Sequence, residues 1–83
     1  MIYTVVWKKS AKDKMANLWI EASNKQAITN AVNEIDQLLR TNPHNKGYQI
    51  DNYRVLKLAP LTFLFQVSQD DLLVTISDIN QIS

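Results

Sequence analysis

The groups in this chain that could handle a phosphate or a proton are few and unevenly placed. Lys8, Lys9, Lys12 and Lys14 crowd one short segment, and Arg54 and Lys57 lie further on, with Tyr53 just before Arg54. Ammonium and guanidinium groups attract phosphate or an acidic partner segment, and a tyrosine hydroxyl adds a hydrogen bond. His44 is the single histidine, and an imidazole can serve as a general base near neutral pH. It follows Pro43 in the stretch TNPHNKGYQI and has no second ionisable partner beside it. Its competing role is to cap the end of the preceding helix. The lysine cluster competes in the same way with a solvated strand end and first helical turn. On a regular strand Arg54 and Lys57 point to opposite faces, so they form no single cluster. Glu34 and Asp36 sit about 200° apart on a helix and share no site. No arrangement of acids suggests a metal, and no cofactor is expected.

Composition narrows the classes further. At 83 residues, one domain spanning residues 1–83 is expected. There is no cysteine, which excludes disulfides, thiolate nucleophiles and zinc–sulfur centres. Net charge is +1, but residues 1–57 hold all nine Lys and Arg against five acids, while the rest holds only three acids. No apolar run approaches the ~18 residues of a membrane span. The N-terminal lysines follow the apolar stretch instead of preceding it, unlike a signal peptide. A cytoplasmic protein with no membrane partner is the expectation.

The elements that must position these groups read from periodicity. Residues 2–7, IYTVVW, are β-branched and aromatic and largely apolar on both faces, which predicts a central or doubly covered strand. Ser10 and Asp13 suggest a helix start, followed by Ala11, Met15, Leu18, Trp19 and Ala22 at helical spacing. Trp7 and Trp19 are expected in the core. Ser23 and Gln26 suggest a second capping box. The stripe Ala27, Ile28, Ala31, Val32, Ile35, Leu38 and Leu39 then marks a second helix. Pro43 ends that helix near Thr41. Thr41 to Asn52 reads as a loop, with Gly47 free to take a positive φ. The period then becomes two: strands over Tyr53–Leu58, Leu61–Ser68 and Leu72–Ile79, joined by Ala59-Pro60 and Gln69-Asp70-Asp71. The final NQIS is expected to fray. The predicted fold is α+β in the order β-α-α-β-β-β, with a helical hairpin packed on a mostly antiparallel four-stranded sheet.

Four pieces, YTVVWKKSAKDKMANLW, AITNAVNEIDQLLRTNPHNKG, YRVLKLAPLTFLFQV and LVTISDI, occur in an order and spacing that resembles the RelE/ParE toxin superfamily of type II toxin–antitoxin (plasmid stabilisation) systems. The resemblance covers nearly the whole chain and is closer to the ParE-like branch. It implies a toxin or toxin-like protein neutralised by a cognate antitoxin, acting as a ribosome-dependent mRNA endonuclease or an inhibitor of DNA gyrase. In endonuclease members, basic side chains on the meander hold the scissile phosphate, and a terminal Arg, Tyr or His completes the site. On that pattern Arg54 takes a basic position, but Leu56 and Thr62 stand where further basic groups are expected. The end SDINQIS lacks the terminal group. Action by protein binding, with gyrase inhibition its favoured form, is therefore the expected function. A degenerate endonuclease and a non-toxic interaction relative are the alternatives, and a homodimer remains open.

Overall fold

The computed structural model describes residues 2–82. Its elements are β1 (Thr4–Trp7), α1 (Lys9–Glu21), α2 (Lys25–Leu38), a 3-10 turn (Pro43–Asn45), β2 (Tyr48–Ile50), β3 (Tyr53–Leu58), β4 (Leu61–Ser68) and β5 (Leu73–Gln81). The sheet has five strands in the order β1-β5-β4-β3-β2. β1 runs parallel to β5, and every other pairing is antiparallel. The α+β architecture and the helical hairpin are as expected.

The fifth strand is a correction. Tyr48–Ile50 was expected inside a loop, but it pairs with Tyr53–Val55 through a tight turn at Asp51-Asn52. Three residues are too few for a period to show in sequence. Gly47 enters this strand at φ +66°, and a Cβ there would lie 2.0 Å from the Val55 carbonyl oxygen. Glycine is required by both the dihedral and the close approach.

β1 also differs from expectation. It is an edge strand, with Thr4 and Val6 exposed, not a strand covered on both sides. Its apolar character serves one face only, through Val5 and Trp7, with Trp7 edge-on to Phe63 at 6.2 Å. Both helix starts are shifted too. Ser10 lies inside α1, which begins after Lys8 without a side-chain cap. Asn24, not Ser23, caps α2, its Oδ1 accepting from the Ala27 amide at 3.1 Å.

The core is one layer between the helices and one sheet face. Ala11 from α1 and Ile28, Ala31, Ile35 and Leu39 from the second helical stretch meet Leu61, Phe63 and Phe65 of β4 and Val74, Ile76 and Ile79 of β5. In β5 the core positions change parity between Ile76 and Ile79. The register shifts there, with Phe65 opposite Ile76 and Leu64 opposite Asp78, so Ser77 is the extra residue of a bulge. Asn80 and Gln81, expected to fray, continue the strand opposite Thr62 and Leu61. The Ile82 amide donates to the Pro60 carbonyl at 2.8 Å. Ser83, the last residue of the expected frayed end, lies outside the described residues.

Candidate functional site

The sheet face turned away from the helices follows from the ladder. Directly opposed residues share a face. Tyr48, Val55, Leu64 and Asp78 therefore form one row across β2 to β5, and Lys57, Thr62 and Asn80 the next. Ile50 and Tyr53 stand together on the same side. Tyr48 and Ile50 are 51% and 49% exposed, which makes this end of the face apolar and accessible. Among the described strand residues of this face, Lys57 is the one cation.

A second ammonium reaches the face from α1. Lys14 Nζ donates to Asn80 Oδ1 at 2.6 Å and to Asp78 Oδ1 at 3.2 Å. The result is a polar line of Lys57, Thr62, Asn80 and Lys14, with the Lys14 charge offset by the Asp78 carboxylate. Thr62 thus stands opposite Lys57, not Arg54.

Arg54 belongs to the other face, opposite Phe65 and Gln49. Its Nε donates to the Lys46 carbonyl at 2.9 Å and its Nη2 to the Gly47 carbonyl at 3.2 Å. Both bonds tie down the segment entering β2. Tyr53, one residue earlier, points to the open face, so the two do not form one site. His44 is exposed in the 3-10 turn, its ring edge-on to buried Tyr3 at 5.7 Å. Arg54 and His44 nevertheless line a common recess of about 190 Å³ with Gln49, Asn52, Val67 and Gln69. Sequence spacing alone showed no link between these two groups.

The lysine cluster divides. Lys8, Lys9 and Lys12 are exposed, and Lys9 pairs with Asp13 at 3.5 Å across one helical turn. So exposed a pair adds little stability. Among these four side chains, only that of Lys14 is hydrogen-bonded to the sheet, while the Lys8 backbone amide donates to the Ile76 carbonyl at 2.9 Å.

Sequence reasoning missed a groove between α1 and α2. Met15, Ala16, Trp19, Ile20, Thr29 and Val32 help to line about 520 Å³ of mostly apolar space. Trp19, expected in the core, is 41% exposed here, and Ile20 is 64% exposed. Trp19 Nε1 donates to Thr29 Oγ1 at 3.2 Å, which fixes the indole across the hairpin. The Lys25 ammonium lies 5.3 Å from the ring centroid and donates to the Ile20 and Ala22 carbonyls. The available signal was width: Ala16 and Ile20 extend the apolar arc of α1 past the stripe that Ala11, Met15 and Leu18 need for the core.

The described residues hold no cluster of His, Asp and Glu able to bind a metal. No described helix is long and apolar enough to cross a membrane.

No protein-family model and no curated protein matches the sequence. Solved structures do match. The toxin–antitoxin complex RelBE2 from Mycobacterium tuberculosis aligns at a TM-score of 0.78 and 14% identity, covering 98% of this chain and 92% of that one. The chromosomal ParDE system from P. aeruginosa aligns at 0.74 and 14% identity, covering 99% and 98%. The archaeal RelE–RelB complex from Pyrococcus horikoshii OT3 aligns at 0.70 and 16% identity, covering 98% and 96%. At such identities the likeness is one of fold: the chain has the fold shared by RelE and ParE toxins.

Proposed function

We propose that this chain, which carries the RelE/ParE fold, is the toxin or a toxin-like component of a type II toxin–antitoxin module. It acts in the cytoplasm by binding a protein, with inhibition of DNA gyrase as the favoured form, and is neutralised by a cognate antitoxin. The observation that supports this reading is the open sheet face. It presents the exposed Tyr48 and Ile50 beside the half-buried Tyr53 and Leu64, with Lys57 as the one cation among its described strand residues. Cleavage of RNA needs a base, an acid and cations for the phosphorane. Each missing electrostatic group costs on the order of 10²–10³ in rate. A face with one apolar end, and with the Lys14 charge offset by Asp78, suits a protein surface better than a phosphodiester chain.

Two of the matched structures are complexes, the toxin–antitoxin complex RelBE2 and an archaeal RelE–RelB complex, and a cognate antitoxin is proposed here by that likeness. An amphipathic antitoxin helix would find apolar anchors in the groove around Trp19 and Ile20. Controlled expression in a naïve bacterial host tests the reading. Growth should stop and recover on co-expression of the antitoxin, and the purified protein should inhibit gyrase supercoiling while leaving translated transcripts uncut. Unaffected growth together with unaffected gyrase would overturn it.

One observation favours a second reading, an mRNA endonuclease with a reduced site. Lys57, Thr62, Asn80 and Lys14 make a polar line on the open face. On this reading, transcripts are cut on the ribosome and the cutting weakens in Lys57→Ala. Uncut transcripts under growth-arresting expression exclude it.

A further inference from the structure

The guanidinium of Arg54 is held by one edge only. Its Nε and Nη2 form the side edge, and both donate to backbone carbonyls, of Lys46 at 2.9 Å and Gly47 at 3.2 Å. The end edge, Nη1 with the second proton of Nη2, makes a single contact, to Gln49 Oε1 at 3.5 Å. That distance is at the outer limit for a hydrogen bond. A guanidinium fixed on one side with its other edge nearly unspent is preorganised for a two-oxygen acceptor.

The space in which Arg54 sits has the matching character. His44, Gln49, Asn52 and Gln69 line the same recess of about 190 Å³, with Val67 as its apolar lining. His44, Asn52 and Gln69 each carry a side-chain N–H donor, while the Gln49 amide donates to the Asp51 carbonyl at 3.0 Å and turns its Oε1 toward Arg54. No carboxylate lines it. Asp51 and Asp70, in the adjoining turns, are not among its lining residues, and Asp71 accepts from Ser68 Oγ at 3.1 Å instead. The donors come from three separate elements: the 3-10 turn, the β2–β3 hairpin and the β4–β5 turn. The recess lies on the face of β3 opposite to Lys57, because Arg54 is paired with Phe65 while Lys57 is paired with Thr62. It is therefore separate from the open-face surface invoked above and does not depend on that reading.

We infer that this recess is a binding site for a phosphate group, gripped by the end edge of Arg54 and closed by donors from His44, Asn52 and Gln69. The phosphate can be the free ion or the monoester end of a larger molecule.

The test is an NMR titration of the full chain with inorganic phosphate, against chloride at equal ionic strength. The Arg54 Nε–H and the side-chain amides of Asn52 and Gln69 should shift saturably, with a dissociation constant of about 1 mM or tighter. Arg54 itself is a poor target, because its loss releases the β2 segment. Gln69→Glu instead places a negative charge in the recess and should weaken phosphate at least about tenfold. His44→Ala should weaken it about threefold, the loss of one hydrogen bond. Both residues are exposed, and an unchanged backbone amide spectrum checks that each variant is folded. Titration with adenosine 5′-monophosphate separates the sources: tighter binding than the free ion identifies a phosphomonoester, and weaker binding identifies the ion. Equal shifts with chloride, a response that never saturates, or binding unchanged in both variants would overturn the assignment. So would loss of the response in Lys57→Ala, which would put the ion on the open face.

Discussion

Lys14 Nζ on α1 lies 3.2 Å from Asp78 Oδ1 on β5, across a sequence separation of 64 residues. The same ammonium donates to Asn80. One side chain thus bridges the helical hairpin and the strand that continues past the Ser77 bulge.

Both partners are 42% exposed, so water screens the pair and its net worth is small. A double-mutant cycle on Lys14→Ala and Asp78→Asn should give a coupling of at most about 1 kcal/mol in urea unfolding. A coupling several times larger would mean that the contact holds the helix in place, not merely decorates it.

Gly47 should tolerate no side chain. Gly47→Ala combines a φ of +66° with a Cβ 2.0 Å from the Val55 carbonyl oxygen. The expected cost is about 2–4 kcal/mol, since the neighbouring atom is backbone and cannot swing aside. Chemical denaturation measures it, and loss of the Tyr48–Val55 pairing should appear as faster amide exchange in β2. A change below 1 kcal/mol would show that this segment is free to move.

Phe63 is fully buried and meets Trp7 edge-on. Phe63→Ala should cost about 3–5 kcal/mol. Each kcal/mol lowers the melting temperature of a domain this small by about 4–8 °C, so the variant should melt roughly 12–40 °C below the parent. A cooperative thermal transition within a few degrees of the parent would contradict the core described above.

Trp19 separates binding from stability. It is partly exposed and its indole is tied to Thr29. If the groove takes a partner helix, Trp19→Ala should weaken that complex by about 2 kcal/mol or more, roughly thirtyfold. The free chain should lose only about 1 kcal/mol, because a partly exposed side chain has less apolar area to return to water. Calorimetric titration with the proposed antitoxin reads the first figure and thermal melting the second. Unchanged affinity would remove the groove from the interface.

The cap at Asn24 is worth about 1 kcal/mol, and Asn24→Ala should lose that much in urea unfolding. Ser23→Ala should lose almost nothing, because the observed cap bond comes from Asn24. The reverse ranking would restore the Ser23 capping box.

Where sequence and structure part company, the cause is visible in single residues. The α2 stripe from Ile28 to Leu39 was legible because a period of 3.6 over three turns is hard to produce by chance. The alternation in β4 was legible for the same reason, and Leu61, Phe63 and Phe65 are all buried. Ser23 and Asn24 are both good caps, and their order of preference turned on the local path of the chain. Trp19 carries the strongest apolar side chain on α1, yet its neighbours across the hairpin, Thr29 and Val32, leave it partly open. Of the candidate site residues, Arg54 lies on β3, but its backbone partners are eight and seven residues upstream in a segment read as a loop.

By itself the sequence determined the order of the helices and of four of the five strands, the end of α2 before Pro43, the freedom of Gly47 to take a positive φ and the absence of thiol chemistry. These depend on local dihedral preference, side-chain period and residue type, all short-range properties. Only the tertiary structure decided that β1 is an edge strand beside β5, that Ser77 shifts the register, and that Tyr48–Ile50 adds a fifth strand. It alone brought His44 to Arg54 and Lys14 to Asp78. Strand neighbours and helix docking are settled by contacts between distant residues competing for one buried layer, and no local pattern encodes the outcome of that competition.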